Sequence, residues 1–292
     1  LRDDFQAQQG GCYTIRSRDG FLFARCPGFR HRPAHADLLH VDLWWRGQNI
    51  ALDAGTFSYN HDSSSGDPLS KTEAHNTVTI DQSDQMDRVG RFLWLPWARA
   101  EARRLQKSDA GNLTYLELTH DGYQRLNAPA VHTRAILRVH DHWLIVDRLT
   151  SSAEHEYRLH WLLEDSPFVS RDETHLTLDT SAGPYYVQVG STTVEQSSSI
   201  LRADDASRRG WRAPYYNSLE PALSFELRMR AVNAVFWTVF GPESCEVVAD
   251  DGSVQLCTSN WSAQLGLKMS DDEPLVSSIT LSGSVGDKME ID

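Results

Sequence analysis

Long apolar runs are missing from this sequence. No stretch of its 292 residues approaches the ~18 consecutive apolar residues that a membrane-spanning helix requires. Cations are also in short supply: 28 Lys and Arg stand against 40 Asp and Glu, for a formal charge of −12. That balance excludes general nucleic-acid binding, which needs a basic footprint, and leaves an anionic ligand only local patches. Arg30-His31-Arg32, Arg88 with Arg91, Arg99 with Arg103 and Arg104, and Arg208-Arg209-Arg212 are the candidates, each either a set of solvated arginines or an anion contact. No segment keeps apolar residues at helical spacing over three turns, which argues against helical and α/β folds. Neither an initiating Met nor a signal peptide is visible, and the abrupt Leu1 suggests a mature or excised fragment.

Cysteine is sparse, four in all, but placed in pairs. CYTIRSRDGFLFARC (12–26) and CEVVADDGSVQLC (245–257) each read as a hairpin with Asp-Gly at the turn. Three-residue loops at 18–20 and 250–252 would set each cysteine directly opposite its partner, within disulfide reach. Four free thiols are the alternative.

What the chain has in abundance is strand periodicity. Alternating or β-rich runs occur at 12–16, 21–25, 38–45, 50–53, 76–80, 113–118, 133–139, 143–146, 156–163, 175–178, 185–189, 223–229, 234–240, 246–248, 254–256, 262–267 and 275–281, many separated by Gly-containing turns. This predicts an all-β fold, a large two-layer antiparallel β-sandwich, as a single domain over 1–292. Two stretches, 60–74 and 190–218, read as long loops, and loops of that length are often functional.

The segment 31–60, HRPAHADLLHVDLWWRGQNIALDAGTFSYN, sets His31, His35 and His40 and Asp37, Asp42 and Asp53 among the apolar residues of two strands. Burying an unpaired charge is costly, so these groups are either solvated at an edge or gathered into a site. On an extended strand His35, Asp37, Leu39, Val41, Leu43 and Trp45 share a face, polar at one end and apolar at the other. That suits a strand whose body is core and whose tip enters a cleft.

Pro33-Ala34-His35-Ala36-Asp37, Trp44-Trp45-Arg46-Gly47, Leu52-Asp53-Ala54-Gly55-Thr56-Phe57-Ser58-Tyr59 and Ala74-His75-Asn76-Thr77-Val78 together resemble the heparinase II/III-like polysaccharide lyases. The Cys12 to Cys26 opening and the stretch from Gly210-Trp211 to Tyr216 extend the resemblance over most of the chain. It implies the C-terminal β-sandwich of an enzyme whose N-terminal α/α toroid is not in this sequence. It implies a periplasmic or secreted lyase that cleaves a uronic-acid-containing polysaccharide, a glycosaminoglycan or alginate, by β-elimination. The isolated sandwich would be inactive, because the toroid supplies an Asn or His and a Tyr.

Elimination needs a group to neutralise the uronate carboxylate, a base for the C5 proton and an acid for the leaving oxygen. The resemblance points to His35 as the sandwich histidine; Tyr59 is a candidate proton donor or a turn-packing residue, Asn76 a carboxylate contact or the start of a strand, Arg88 a carboxylate grip or a surface ion pair, and Arg32 a further candidate substrate contact. Some members bind zinc through a His, the Asp of an Asp-x-Gly turn and a later His, which fall here on His35, Asp53 and His75, a sound zinc set. Two features stand against a simple transfer. Pro33 occupies the position where some members carry a catalytic His. A flat hairpin turning at Arg46-Gly47 would also pair Asp53 with His40 and leave His35 about 16 Å further along. A three-residue metal site then needs a bend between His35 and Leu39. The competing reading is a non-catalytic carbohydrate-binding or scaffolding domain with the same fold.

Overall fold

Along the strand Val41–Trp45, Val41, Leu43 and Trp45 are buried while Asp42 and Trp44 are partly exposed, and this period of two recurs through the molecule. The computed structural model describes residues 3–59, 67–90, 93–192, 195–250, 252–283 and 286–291. Arg91, Asp251 and residues 60–66 of the 60–74 loop lie outside them. Among the described residues the helical elements are three-residue 3-10 turns, two of which, Pro68–Ser70 and Thr72–Ala74, lie within the stretch expected as a loop.

Two large antiparallel sheets face each other. The first has nine strands, running Phe5–Ala7, Cys12–Arg16, Gly20–Arg25, Val41–Trp45, Gln48–Ala51, His155–Leu163, Leu223–Ala231 and Ser197–Arg202, with Val78–Ile80 also paired to His155–Leu163. The second has eight: Phe168–Asp172, His175–Thr180, Gly183–Ser191, Ala234–Gly241, His142–Ser151, Ala130–Val139, Leu113–His120 and Ala100–Lys107. Leu22, Leu43, Trp161 and Phe225 of one sheet share a dry core with Ile136, Trp143, Ile145 and Phe236 of the other. Trp161 meets Phe240 edge-on at 4.9 Å between ring centroids, a favoured aromatic geometry.

A third sheet of five strands, Glu246–Ala249, Ser253–Cys257, Trp261–Leu267, Val276–Gly283 and Asp287–Glu290, covers the outer face of the second. Leu144, Val146 and Val239 point outward onto Leu256, Leu265 and Ile279. Covered on both faces, the second sheet's central strands are buried at almost every position, which is why they read as continuous apolar runs.

The all-β sandwich is present, with the third layer added to the two expected. Within 190–218, Ser197–Arg202 is an edge strand and Trp211–Tyr215 forms a hairpin with Ser218–Pro221, where a loop was expected. Both cysteine hairpins are one residue out of the expected register, Cys12 facing Arg25 and Glu246 facing Cys257. All four cysteines are free.

Candidate active site

The first sheet parts at one place, and three segments meet there. Strand His155–Leu163 pairs with Gln48–Ala51 at Leu163 and Ala51, and with Val78–Ile80 at Tyr157, Arg158 and Leu159. Asn76 closes the seam between those contacts. Its amide donates to the carbonyls of Val41 (2.8 Å) and Leu52 (2.9 Å), and its oxygen accepts the Leu162 N–H (2.6 Å). The side chain thus substitutes for missing ladder bonds in a fully buried position.

The chain before Val41 bends sharply. His40 N–H donates to the Asp37 carbonyl (3.2 Å), Leu39 takes φ +59°, and Ala36 N–H donates to the Ser70 carbonyl (2.9 Å). The strand therefore starts at Val41, where 38 was expected, and His35 folds back toward Asp53. A bulge between Leu43 and Trp44 shifts the hairpin register as well. At the far side Asp53 begins a tight turn, its carboxylate accepting the Gly55 N–H at 2.6 Å. Gly55 has φ +73°, and a Cβ there would lie 2.1 Å from the Ala213 carbonyl oxygen. Gly55→Ala is accordingly expected to cost at least ~2 kcal/mol by strain and displacement of the Trp211–Tyr215 strand. Denaturant unfolding checks this, and a loss under 0.5 kcal/mol (roughly the size of a neutral surface change) would contradict it.

These bends gather His35, Asp53 and His75, whose ligand atoms all lie within 4.8 Å of one another. His40 joins them: its Nε2 lies 3.4 Å from an Asp53 oxygen, and its Nδ1 accepts the Asn76 N–H at 3.1 Å. The His40–Asp53 contact and the three-residue grouping therefore coexist. His35 Nε2 lies 2.9 Å from the Thr56 hydroxyl. His75 is fully buried, its Nδ1 is 3.7 Å from Asp53, and neither ring nitrogen has a hydrogen-bond partner. A buried imidazole without partners demands an explanation, since desolvated polar groups are costly when unsatisfied.

Burial pushes His40 down to about 4 and His75 down to about 3, against the pull of Asp53, so both rings are neutral at pH 7. Burial works to raise Asp53, but His40, His75 and the Gly55 N–H outweigh it and hold the carboxyl well below the usual carboxylate range. The cluster opens into a cleft of about 380 Å³ lined by Asp37, Asp42, Asp53 and one cation, Arg25. Arg25 is already paired with Asp37 at 2.7 Å. Burial pushes Asp42 up to about 6, and Asp53 adds to the effect.

The family model described as Heparinase II/III-like, C-terminal, matches residues 1–260. The chain belongs to this family. Among solved structures, this heparinase II/III-like C-terminal domain is similar to a heparinase III gene product at 17% identity and TM-score 0.72, covering 99% of this chain and 42% of that one. It is similar to a heparan sulfate lyase HepC from Pedobacter heparinus at 18% identity and TM-score 0.66, with the same coverage. The chain thus spans about two-fifths of the length of these relatives. No curated protein sequence matches.

The heparinase-like domain sets Arg32, Tyr59 and Arg88 apart from the cluster, while Asn76 touches it only through its backbone N–H to His40. Asn76 is committed to the seam and does not line the cleft, in contrast to the substrate contact expected of it. Arg88 donates to the Ser70 hydroxyl (2.9 Å) and lies over the Trp94 ring, bracing the turn at 67–70. Arg32 is exposed. Tyr59 is 52% exposed and packs on Tyr216 at 5.3 Å. Two groups that sequence reasoning passed over hold the cluster from behind. His160 Nδ1 donates to the His75 carbonyl at 3.0 Å. Arg134, wholly buried, donates to the carbonyls of Leu39 (2.7 Å) and Asn76 (2.6 Å). Their only signal was position: Arg134 falls on the same face of its strand as Ile136, where a core residue belongs.

Proposed function

We propose that this chain is the sandwich portion of a polysaccharide lyase that acts on a uronic-acid-containing polymer by β-elimination, with His35, Asp53 and His75 holding a zinc ion. The observation that carries the metal assignment is His75, buried with both nitrogens unpartnered beside an ionised carboxylate and a second imidazole. Two neutral imidazoles and a carboxylate form a donor set suited to zinc. Charge supports it further: a cleft with three carboxylates and one paired arginine would repel an acidic sugar unless a cation sat among them. When bound, zinc would supply electrostatic neutralisation of the uronate carboxylate.

The chain's own residues prepare that site. Asn76 fixes the tautomer of His40, leaving its proton on Nε2, 3.4 Å from an Asp53 oxygen. His160 fixes the backbone of His75. Tyr59 is exposed on the segment that follows Asp53, packed on Tyr216 outside the cleft lining, and would reach only a substrate that extends beyond the cleft. The larger part of the relatives lies outside this chain and would provide the remaining proton-transfer groups. Because such polymers are met outside the cytoplasm, the reading carries a periplasmic or secreted location. Support for the substrate class comes from the structural relatives, described as heparinase III and heparan sulfate lyase.

The test uses the full-length protein with heparan sulfate, alginate and related polymers, following the ultraviolet absorbance of unsaturated uronate. Turnover of at least one polymer is expected, with His35→Ala lowering it at least ~100-fold. Elemental analysis should find one zinc per wild-type chain, and His75→Ala should lose it. Folded protein that is silent on every polymer would overturn the lyase reading; wild type without zinc would overturn the metal.

A further inference from the structure

A cavity of about 270 Å³ lies between the 68–74 turns and residues 207–211, with the strands His155–Leu163 and Leu223–Ala231 as its floor. Its walls carry Lys71, Arg158, Arg208, Arg209 and Arg228 against two carboxylates, Glu73 and Glu226. In a chain of net charge −12 this is a pronounced local reversal of sign. Glu226 is fully buried and shared among three guanidiniums. Arg158 binds it through Nε and Nη2, Arg209 Nε lies at 2.9 Å, and Arg228 Nη2 at 3.0 Å. One carboxylate offsets one of those charges. Glu156 reaches Arg228 at 3.3 Å from the flank, but it also holds Arg230.

Crowding three partly desolvated guanidiniums around a single carboxylate is unfavourable without a further anion. Arg209 registers the imbalance. Burial, together with the like charges of Arg158 and Arg228, lowers it to about 10 in spite of Glu226. At the mouth, Arg208 is exposed and held at φ +60°, and Lys71 is half-buried, 3.9 Å from Glu73. Trp211 forms a side wall and continues into an adjoining apolar hollow of about 340 Å³ with Phe57 and Leu219.

We infer that this cavity is a binding site for an anionic sugar residue, its sulfate or carboxylate taken by the arginine cluster and its ring resting against Trp211. Guanidinium forks match both oxyanions, and a flat indole beside them suits a ring that is apolar on its faces. The cavity is distinct from the histidine cleft. It backs onto the same 72–76 segment from the opposite side, Arg158 donating to the Glu73 carbonyl (3.0 Å) and His160 to that of His75 (3.0 Å). A bound polymer would then be held at two places on the sandwich. The inference deepens the acidic-polysaccharide reading and rests on it for the choice of ligand.

The test measures, by calorimetry at low salt, the binding of a heparin hexasaccharide, a neutral maltohexaose and inorganic sulfate to the 292-residue chain. The hexasaccharide should bind, maltohexaose should not, and Lys71→Ala/Arg208→Ala should weaken binding at least tenfold without moving the unfolding midpoint. Lys71→Glu/Arg208→Glu should abolish binding. Hexasaccharide affinity unaltered in the rim variants would overturn the inference, as would inorganic sulfate binding as tightly as the saccharide. Rim-dependent binding in a full-length protein that turns over no polymer would sink the lyase reading and leave this one standing.

Discussion

Asp147→Asn is expected to lower the free energy of unfolding by about 3–5 kcal/mol and Tm by roughly 10 °C. Asp147 and Arg134 face each other in the space between the two large sheets, both fully buried, with Arg134 Nε at 2.6 Å and Nη2 at 3.0 Å from the two carboxylate oxygens. Burial works against the charged carboxyl, yet Arg134 and His132 hold it below its ordinary range. The amide keeps the shape but leaves the guanidinium without a counter-charge, and an uncompensated buried charge is the expensive outcome. Removing both charges should be milder: Arg134→Met/Asp147→Leu is expected to recover part of the loss, because no buried charge is left uncompensated, although the His132 Nε2–H then loses its acceptor.

What the double variant cannot restore is the Nη1 contact with the carbonyls of Leu39 and Asn76. Those carbonyls belong to the two bends that present His40 and His75. Zinc affinity, on the function proposed above, should therefore fall at least ~10-fold in the double variant even where stability returns. Guanidinium unfolding and competitive chelation measure the two effects separately. A single variant that costs less than ~1 kcal/mol, well below the range for a broken buried pair, would show that this pair is not what fixes the bends.

Strand identity was largely legible because period-two alternation is local, whereas register and convergence are not. The one-residue offset in both cysteine hairpins comes from turn geometry that a Gly count does not determine. For the first, Arg16 pairs with Phe21, so four residues form the loop where three were expected. Ala100–Lys107 (AEARRLQK) and Ser197–Arg202 went unseen because they are polar edge strands, defined by the neighbours they pair with. The gathering of His35, Asp53 and His75 depended on a bend at Leu39 and a bulge at Trp44, and no residue type at either position announces it. The family resemblance supplied the candidate triad, while pleat arithmetic alone would have kept His35 away. Asn76 shows the opposite failure. A polar residue beside a candidate ligand suggested chemistry, and its role in the fold is to replace strand hydrogen bonds.

Stability should fall as the pH is lowered from 7 to 5, in part through histidines remote from the cleft. A directed chain of hydrogen bonds runs through the core: Gly122 N–H to His120 Nδ1 (3.1 Å), His120 Nε2 to His132 Nδ1 (3.2 Å), and His132 Nε2 to Asp147 (2.7 Å). Assigned consistently, each ring carries its proton on Nε2 and accepts on Nδ1. Every nitrogen is satisfied only while both rings are neutral, because a second proton would set N–H against N–H. Burial and the neighbouring positive charges lower His120 and His132, and burial lowers His142 to about 4. In the unfolded chain all three titrate near 6.5. Between their unfolded and folded values the unfolded state binds more protons, so stability falls as pH falls. The contribution is intact above about pH 7. Each group then removes up to about 1.4 kcal/mol per pH unit until its own folded value is reached, and the buried His40 and His75 of the cleft add to the same fall. Against a typical margin of about 5–15 kcal/mol, this loss should show as a lower Tm at pH 5 than at pH 7. His142→Gln, which removes one such group whose ring faces the Glu243 carbonyl, should reduce the slope of stability against pH by about one proton. A Tm unchanged between pH 7 and pH 5 would mean that these rings are protonated in the fold, and the hydrogen-bond chain assigned here would be wrong.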